Sequence, residues 1–179
     1  ILGNFLPIDL CEKVLTYFYS YCFKNKKELK HAIDNYPKNK KIYGDCREWD
    51  VSKIKDMSHL FKNMNFEGDI STWDVSNVKD MSCMFKFSKF KCNISGWDVS
   101  NVEDMSEMFR GYIFKVNLSK WDVISVKDMR YMFKNSKFRG NISKWNVSNV
   151  KNMRGMFLHS IFDRNISNWN VENVEDMSY

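Results

Sequence analysis

Residues 73–82 read WDVSNVKDMS, and residues 97–106 repeat that string with one change, as WDVSNVEDMS. The two strings begin 24 residues apart, and all six tryptophans of the chain keep this interval: Trp49, Trp73, Trp97, Trp121, Trp145 and Trp169. A fixed period of roughly 20 to 50 residues is typical of proteins built from stacked repeats. We therefore expect the six tryptophans to form the structural core of one repeat array.

Apolar residues recur at fixed distances from each tryptophan. In the unit that begins at Trp73 they are Val75, Val78, Met81, Met84, Phe85, Phe90 and Ile94. One such unit is too small to enclose a core, so stacked copies would have to share a continuous one. The residues from Val78 to Phe85 have the spacing of one helical face, whereas residues 93–99 are compatible with a short strand.

These patterns predict a repeat solenoid of the LRR-like α/β class. Each 24-residue coil would contain a short strand and a short helix or 3-10 segment, and residues 45–179 would supply about five and a half coils. Residues 1–44 would form a helical N-terminal cap. Its first helix is indicated by the helical spacing of Leu10, Val14, Leu15, Phe18 and Cys22, and its second by the capping-box pattern NKKE at 25–28.

Three polar columns accompany the apolar ones. Asp or Asn occupies the positions four before, one after and seven after each tryptophan, as Asp69, Asp74 and Asp80 do around Trp73. We interpret these side chains as acceptors for turn backbone and, in the last column, as caps of helix starts. Calcium binding by stacked carboxylates is the alternative, although no glycine-rich calcium loop accompanies them.

The strings at 73–82 and 97–106 resemble the BspA-like leucine-rich-repeat family, whose mycoplasma-type members carry a domain of unknown function. Similar arrays are expected in some large DNA viruses of protists. The resemblance covers residues 45–179 and implies a leucine-rich-repeat-like solenoid, surface exposure and protein binding, with no catalytic residues to transfer. Later copies depart from the pattern, because Ile124 replaces a serine and Asn146 and Asn170 replace aspartates.

Composition argues against several classes of function. The chain has five cysteines without a CxxC pair, three dispersed histidines and no glycine-rich phosphate loop. We therefore expect reduced thiols, no metal site, no cofactor and no enzymatic activity. The sequence also lacks a run of about 18 apolar residues, so no transmembrane segment is expected. The net charge of +6 is divided evenly, +3 in residues 1–48 and +3 in residues 49–179.

Positions that vary between units are candidates for a partner-binding face. Ten and fifteen residues after the tryptophans, this candidate face comprises His59, Cys83, Glu107, Tyr131, Met64 and Tyr112. A candidate basic stripe lies thirteen after them, at Lys62, Lys86, Arg110 and Lys134. Further cations lie near the stripe in register: Lys89, Lys91, Lys115, Lys137 and Arg139. Such a stripe could follow phosphates, although we expect nucleic acid to be an unlikely partner.

We predict a non-enzymatic protein-protein interaction or structural repeat protein on a virion or cell surface, with virion or host cytoplasm favoured over secretion. Two alternatives stay open. Residues 6–10, LPIDL, followed by Val14 and Leu15, resemble the start of an F-box, which implies an adaptor with a repeat substrate-binding domain. The other alternative is phosphate or nucleic-acid binding through the lysine stripe. We also expect an uncapped C-terminal edge near Tyr179, where a protein partner could dock.

Overall fold

A computed structural model describes residues 20–113 and 115–179 of the chain. It contains helix α1, Lys26–Asp34, helix α2, Lys40–Tyr43, and a single 3-10 turn, Cys46–Glu48. Between residues 49 and 179 the described backbone forms turns, irregular segments and isolated β-bridges, without a helix or a strand. The predicted first helix of the cap, up to Phe18, and the F-box-like stretch at 6–15 lie outside the described residues.

Helix α1 begins where the capping pattern predicted. The Asn25 side chain accepts a hydrogen bond from the Glu28 backbone N–H at 3.0 Å, and the Glu28 carboxylate accepts one from the Lys24 N–H at 3.0 Å. These bonds satisfy donors that a helix start leaves without an intrahelical partner. Three of its residues are buried against the rest of the protein: Leu29, Ala32 and Ile33.

Successive 24-residue units lie side by side in parallel. Isolated bridges join Asp56 to Asp80 and continue to Asp104, Asp128, Asn152 and Asp176, one residue per unit. Beyond each bridge, alternate backbone N–H groups donate to the next unit, as those of residues 57, 59, 61 and 63 do over 2.8–3.0 Å. The N–H groups between them close tight turns within their own unit, to carbonyls three residues back.

The predicted LRR-like α/β solenoid, with a strand and a helix in every coil, is therefore wrong. The spacing of Val78, Met81, Met84 and Phe85 was interpreted as one face of a helix, but this segment contains an isolated bridge at Asp80 followed by consecutive turns at 82–87. A helix would keep every N–H within its own segment, whereas here every second one bonds the neighbouring unit. Residues with positive φ also interrupt any helix, for example Cys83 at 56° and Phe87 at 54°.

One hydrophobic cluster runs from Phe23 to Trp169 and includes the buried side of α1. Within it, one phenylalanine per unit stacks face to face on the next, with ring centroids 5.5–5.8 Å apart: Phe61, Phe85, Phe109, Phe133 and Phe157. The six indoles are 3–9 % exposed. Five of them donate Nε1–H to a backbone carbonyl 27 residues earlier, over 2.8–3.2 Å, so each indole also joins two units.

The three Asp/Asn columns form turns. In all 18 positions the side-chain oxygen accepts the backbone N–H two residues later, over 2.7–3.2 Å. These are Asx turns, so the expectation of turn acceptors is confirmed, while capping of helix starts within the units is wrong. A further amide column links units, since the side chains of Asn77, Asn101, Asn149 and Asn173 donate to carbonyls 25 residues earlier.

The N-terminal segment covers the first unit. Phe23 N–H donates to the Asp50 carbonyl and Asp50 N–H to the Tyr21 carbonyl, both at 3.0 Å. Cys22, which was assigned to a helix, forms a parallel bridge with Asp50. From α1, the Lys26 ammonium contacts the Asp56 carboxylate at 2.8 Å. Every later unit has the preceding unit on this side. Residues 21–34 thus take the place of a preceding unit for the first one.

The last unit exposes apolar side chains. Val171, Met177 and Tyr179 are 40, 53 and 79 % exposed. With Phe157 and Trp169 they line a cavity of about 350 Å³. Docking of a partner at this edge stays a prediction. Among the residues that the structure describes, no helix is both long and apolar enough to cross a bilayer.

Candidate functional site

Positions 13–18 after the tryptophans form one edge of the stacked units, here called the lateral edge. It comprises residues 86–91, 110–113, 115, 134–139 and 158–163. Backbone bonds hold its segments together, because Phe87 N–H donates to the Arg110 carbonyl and Gly111 N–H to the Lys134 carbonyl, both at 2.8 Å. The same bond joins Asn135 to Leu158 at 2.9 Å. Side chains in equivalent positions are therefore neighbours, roughly 4.8 Å apart.

Positive charge is concentrated on the lateral edge. The stretches 86–91, 110–115 and 134–139 contain eight Lys or Arg and no Asp or Glu. The whole chain has a net charge of only +6, so the remainder of the protein carries a small net negative charge. Charge counted by halves of the sequence appeared even, but counted by position in the stack it is localised on three adjacent units.

The same edge exposes large apolar side chains. Phe87, Ile113 and Ile161 are 46, 49 and 44 % exposed. Of the seven large hydrophobic residues exposed in the described part of the chain, three belong to the last unit and one, Ile42, to α2. The other three all lie on the lateral edge. Exposed apolar residues that cluster beside polar ones mark interaction surfaces more often than scattered ones do.

Positively charged and apolar side chains alternate along one column of the lateral edge. Sixteen residues after the tryptophans, successive central units present Lys89, Ile113, Lys137 and Ile161, all of them exposed. The backbone places this column, since the N–H groups of Lys89 and Lys137 donate to the preceding unit at 3.0 Å and that of Ile161 at 3.4 Å. Lys89, Lys115 and Lys137 have no carboxylate partner among the described residues.

The predicted basic stripe is partly neutralised. The Glu107 carboxylate accepts from the Lys86 ammonium and from the Arg110 guanidinium, both at 2.5 Å. Burial would raise the pKa of Glu107, but the hydrogen bonds from Lys86 and Arg110 outweigh it and hold the pKa below its usual value. Lys134 lies 4.8 Å from the centre of the Tyr131 ring. Lys62 belongs to the first unit, beside His59, whose pKa burial and Lys62 lower.

The predicted partner face is divided. His59, Cys83, Glu107 and Tyr131 all adopt positive φ, between 55° and 61°, so their column supplies the left-handed position of a turn. His59 is exposed, whereas Cys83 is 7 % exposed and burial raises the pKa of its thiol. The Tyr131 ring packs on Gly155. If Gly155 were replaced, the new Cβ would lie 2.5 Å from a carbon of this ring.

The two remaining residues of that face point inward. Tyr112 is 1 % exposed and donates its hydroxyl to the Phe90 carbonyl at 2.7 Å, while burial raises its pKa to about 12. Met64 is half-buried, with its sulfur 3.3 Å from the Lys30 ammonium of α1. The Tyr112 side chain is thus part of the core, whereas binding of a partner by the other residues of this face stays a prediction.

A pair of side chains that does not recur lies close to the lateral edge. The Cys92 thiol donates to the Asp69 carboxylate at 2.9 Å, which lowers the pKa of Asp69 to about 2. Burial and this bond raise the pKa of Cys92 to about 11. Cys92 lines an open cleft of about 350 Å³ with Lys91, Lys115 and Asn117. A protonated, hydrogen-bonded thiol is a poor nucleophile, so the pair is structural.

Potential metal-ligating side chains do not cluster in the described part of the chain. Among the described residues no three His, Cys, Asp or Glu side chains lie close enough together to bind a metal ion. His59 and Cys83 occupy equivalent positions in adjacent units. The lowered pKa of His59 and the raised pKa of Cys83 both favour neutral groups, which opposes a thiolate–imidazolium pair.

Sequence reasoning identified the cations of this edge but not its exposed apolar residues. Ile113, Ile161 and Phe87 stand at positions where other units have lysine, asparagine, glycine or histidine. The signal that could have found them is the replacement of a polar residue by an apolar one outside the apolar columns. Such a residue cannot reach the shared core, so it must face solvent or a partner.

The comparison with protein families gives one match. The family described as "Mycoplasma protein of unknown function, DUF285" matches residues 21–136 and 111–179. No curated protein and no solved structure matches the chain. The BspA-like resemblance is thereby confirmed at the level of the family, whereas occurrence in large DNA viruses stays a prediction. Since the two matched ranges together cover residues 21–179, the chain belongs to the DUF285 family of Mycoplasma proteins of unknown function.

Proposed function

We propose that the protein is a non-enzymatic binding module whose stacked units present the lateral edge to a protein partner. The observation that carries this proposal is the exposure of Phe87, Ile113 and Ile161 on the edge that also holds eight cations. Among the described residues of the central units, no other large apolar side chain is exposed. Exposed isoleucines gain nothing for the fold, while a partner that covered them would remove apolar area from water.

Rigidity supports the same proposal. The segments 86–91, 110–113 and 134–139 are each bonded through the backbone to the units on either side, and 158–163 is bonded to the preceding unit. The central segments also lie beside the stacked phenylalanines. A surface that is ordered before binding loses little conformational entropy when a partner arrives. Repeated units that differ only at exposed positions are a common way to build an extended binding surface.

Site-specific photo-crosslinking in the cells that make the protein tests this proposal. A photoreactive amino acid at Ile113 or Ile161 is expected to give the same protein adduct, and added wild-type protein is expected to compete for it. The double variant Ile113→Ser/Ile161→Ser is expected not to compete. The matched control carries the photoreactive residue at Lys55, which is exposed in a different column. Equal adducts from residues 55 and 113, or equal competition by the double variant, would contradict the proposal.

Phosphate or nucleic-acid binding is the second candidate. It is supported by Lys89, Lys115 and Lys137, which have no carboxylate partner in the part of the chain that the structure describes. Against it, Glu107 neutralises the centre of the stripe, and lysines lack the planar two-pronged geometry that suits phosphate and base recognition. Exposed isoleucines also have no role in following a phosphate backbone. The protein-binding proposal accounts for both the charged and the apolar residues of the edge.

A further inference from the structure

We propose that the partner of the lateral edge is an acidic polypeptide segment that also carries apolar side chains. This inference rests on the proposed function and adds to it the chemistry of the partner. Its basis is the alternating column Lys89, Ile113, Lys137 and Ile161, in which exposed cations and exposed aliphatic side chains are neighbours. A complementary chain would place carboxylates against the lysines and apolar groups against the isoleucines.

The charge distribution around the column favours a negatively charged partner. The central stretches of the edge hold eight cations and no acidic residue, and Glu107, which lies outside those stretches, pairs with two of the cations, Lys86 and Arg110. In the equivalent stretches of the two flanking units, the acidic residues are Glu67 and Asp163. Asp163 pairs with Arg139 at 2.9 Å. The positive region is therefore bounded at both ends, over a length of roughly 15 Å for three units. An acidic segment of limited length fits a bounded region better than a long uniform polyanion does.

Phe87 supplies the apolar side of the site in the second unit. Its ring packs on Gly111, where an added Cβ would lie 2.2 Å from a ring atom. The Lys86 ammonium and the Arg110 guanidinium lie 6.0 and 5.6 Å from the ring centre. The ring is thus held in place with one face against backbone and two cations beside it, which leaves a fixed apolar contact next to positive charge.

Three sets of side chains on the lateral edge would have different roles in recognition. Lys89, Lys115 and Lys137, which have no carboxylate partners among the described residues, would attract the acidic segment and make its binding sensitive to salt. Ile113 and Ile161 would bury apolar side chains of the partner between those lysines. Lys86 and Arg110 already pair with Glu107 and would hold Phe87 in place.

Fluorescence anisotropy with synthetic peptides tests the inference on the purified protein. The probe is a labelled peptide of about three Glu-Ser-Leu-Ser repeats, here called the Glu-Leu peptide. Its Glu and Leu side chains alternate on one face of an extended chain, and at ~3.3 Å per residue it is long enough to span the edge. Comparison peptides replace every Glu with Gln or every Leu with Ser, and an oligothymidine of similar charge represents nucleic acid. We expect the Glu-Leu peptide to bind about tenfold more tightly than either comparison peptide, and to weaken further as salt rises above ~0.15 M.

Matched variants locate the site. Lys89→Glu/Lys137→Glu is expected to weaken the Glu-Leu peptide about tenfold, and Ile113→Ser/Ile161→Ser by a similar factor. Lys55→Glu/Lys151→Glu makes the same change of net charge at exposed lysines of another column and is expected to leave binding unchanged. Because all six side chains are exposed, circular dichroism should report unaltered folding for each variant.

The remaining outcomes separate the inference from the proposed function. Equal binding of the Gln-Leu peptide would overturn the acidic partner and leave protein binding at this edge standing. Oligothymidine binding that is tighter than peptide binding and lost in Lys89→Glu/Lys137→Glu would overturn both proposals in favour of nucleic acid. If the lysine pairs at 89/137 and 55/151 had equal effects, recognition by the lateral edge would be contradicted, because only the net charge would matter.

Discussion

The stacked interior and the lateral edge of the same units differ in how closely the units copy one another. In the interior, each position holds the same residue type in almost every unit, and the structure uses that identity to stack Phe85 on Phe109 and Phe109 on Phe133. On the edge, equivalent positions hold lysine in one unit and isoleucine in the next. The repeated residues therefore account for the fold. The positions at which the repeat breaks down identify the surface with which the protein can distinguish a partner.

The largest expected effect follows from removing one ring of the phenylalanine stack. Phe109 is fully buried between Phe85 and Phe133, so Phe109→Ala should lower the free energy of unfolding by about 3 to 5 kcal/mol. On the lateral edge, Ile113→Ala should change it by no more than about 0.5 kcal/mol. Urea denaturation measures both, and similar losses for the two variants would contradict the distinction between interior and edge.

The tryptophan column offers a comparison within the interior. The indole of Trp97 donates to the Ile70 carbonyl at 3.2 Å, whereas the Trp49 indole N–H is buried without a hydrogen-bond partner in the described part of the chain. Trp97→Phe should therefore cost about 1 kcal/mol more stability than Trp49→Phe. Equal losses would show that the hydrogen bond between units contributes nothing beyond the packing of the ring.

The turns that connect interior and edge hold residues with positive φ. His159 is exposed at φ 56°, a conformation that disfavours residues with a Cβ, so His159→Gly should raise the unfolding free energy by about 0.5 to 1 kcal/mol. The control is Lys120→Gly, at an exposed position without positive φ, where glycine should instead destabilise the protein by about 0.5 kcal/mol. Thermal unfolding should give shifts of opposite sign, and shifts of the same sign would refute this interpretation.

The smallest effect concerns the Asp69–Cys92 pair. Because the thiol bonds the charged carboxylate, Cys92→Ala should raise the pKa of Asp69 from about 2 toward its ordinary value of 3.8. A depressed folded-state pKa stabilises the protein above pH ~4, and this contribution is lost as the pH falls toward 2. NMR titration of the carboxylate measures the pKa directly. An unchanged pKa would assign its depression to the Ser71 backbone N–H instead.

The sequence predicted the repeat, its register, the tryptophan core and the Asp/Asn turns, because each depends on residues that recur every 24 positions. It did not predict the backbone between them. Val78, Met81 and Phe85 would face the same side in a helix or in consecutive turns, and their spacing does not distinguish the two. The hydrogen bonds that decide between them connect different units, so they depend on the stack and not on local sequence.

The sequence predicted the candidate site only in part, again because the contacts that complete it depend on the folded structure. Lys62, Lys86, Arg110 and Lys134 were recognised as a column, but two of them pair with Glu107, which lies ten residues after Trp97. Arg110 belongs to the same unit as Glu107, and Lys86 belongs to the preceding unit. Tyr112 was expected on the surface because its position varies, yet its ring reaches the core and its hydroxyl finds the Phe90 carbonyl. A position that varies between units is not constrained by the repeat, but this variation does not by itself indicate that the side chain is exposed.

NMR shift mapping with the Glu-Leu peptide tests most directly whether the unrepeated edge is the binding surface. The account predicts that shifts of backbone amides during the titration are confined to residues 86–91, 110–115, 134–139 and 158–163. Shifts centred on the exposed apolar residues of the last unit, Val171, Met177 and Tyr179, would contradict it, as would shifts spread evenly over all units.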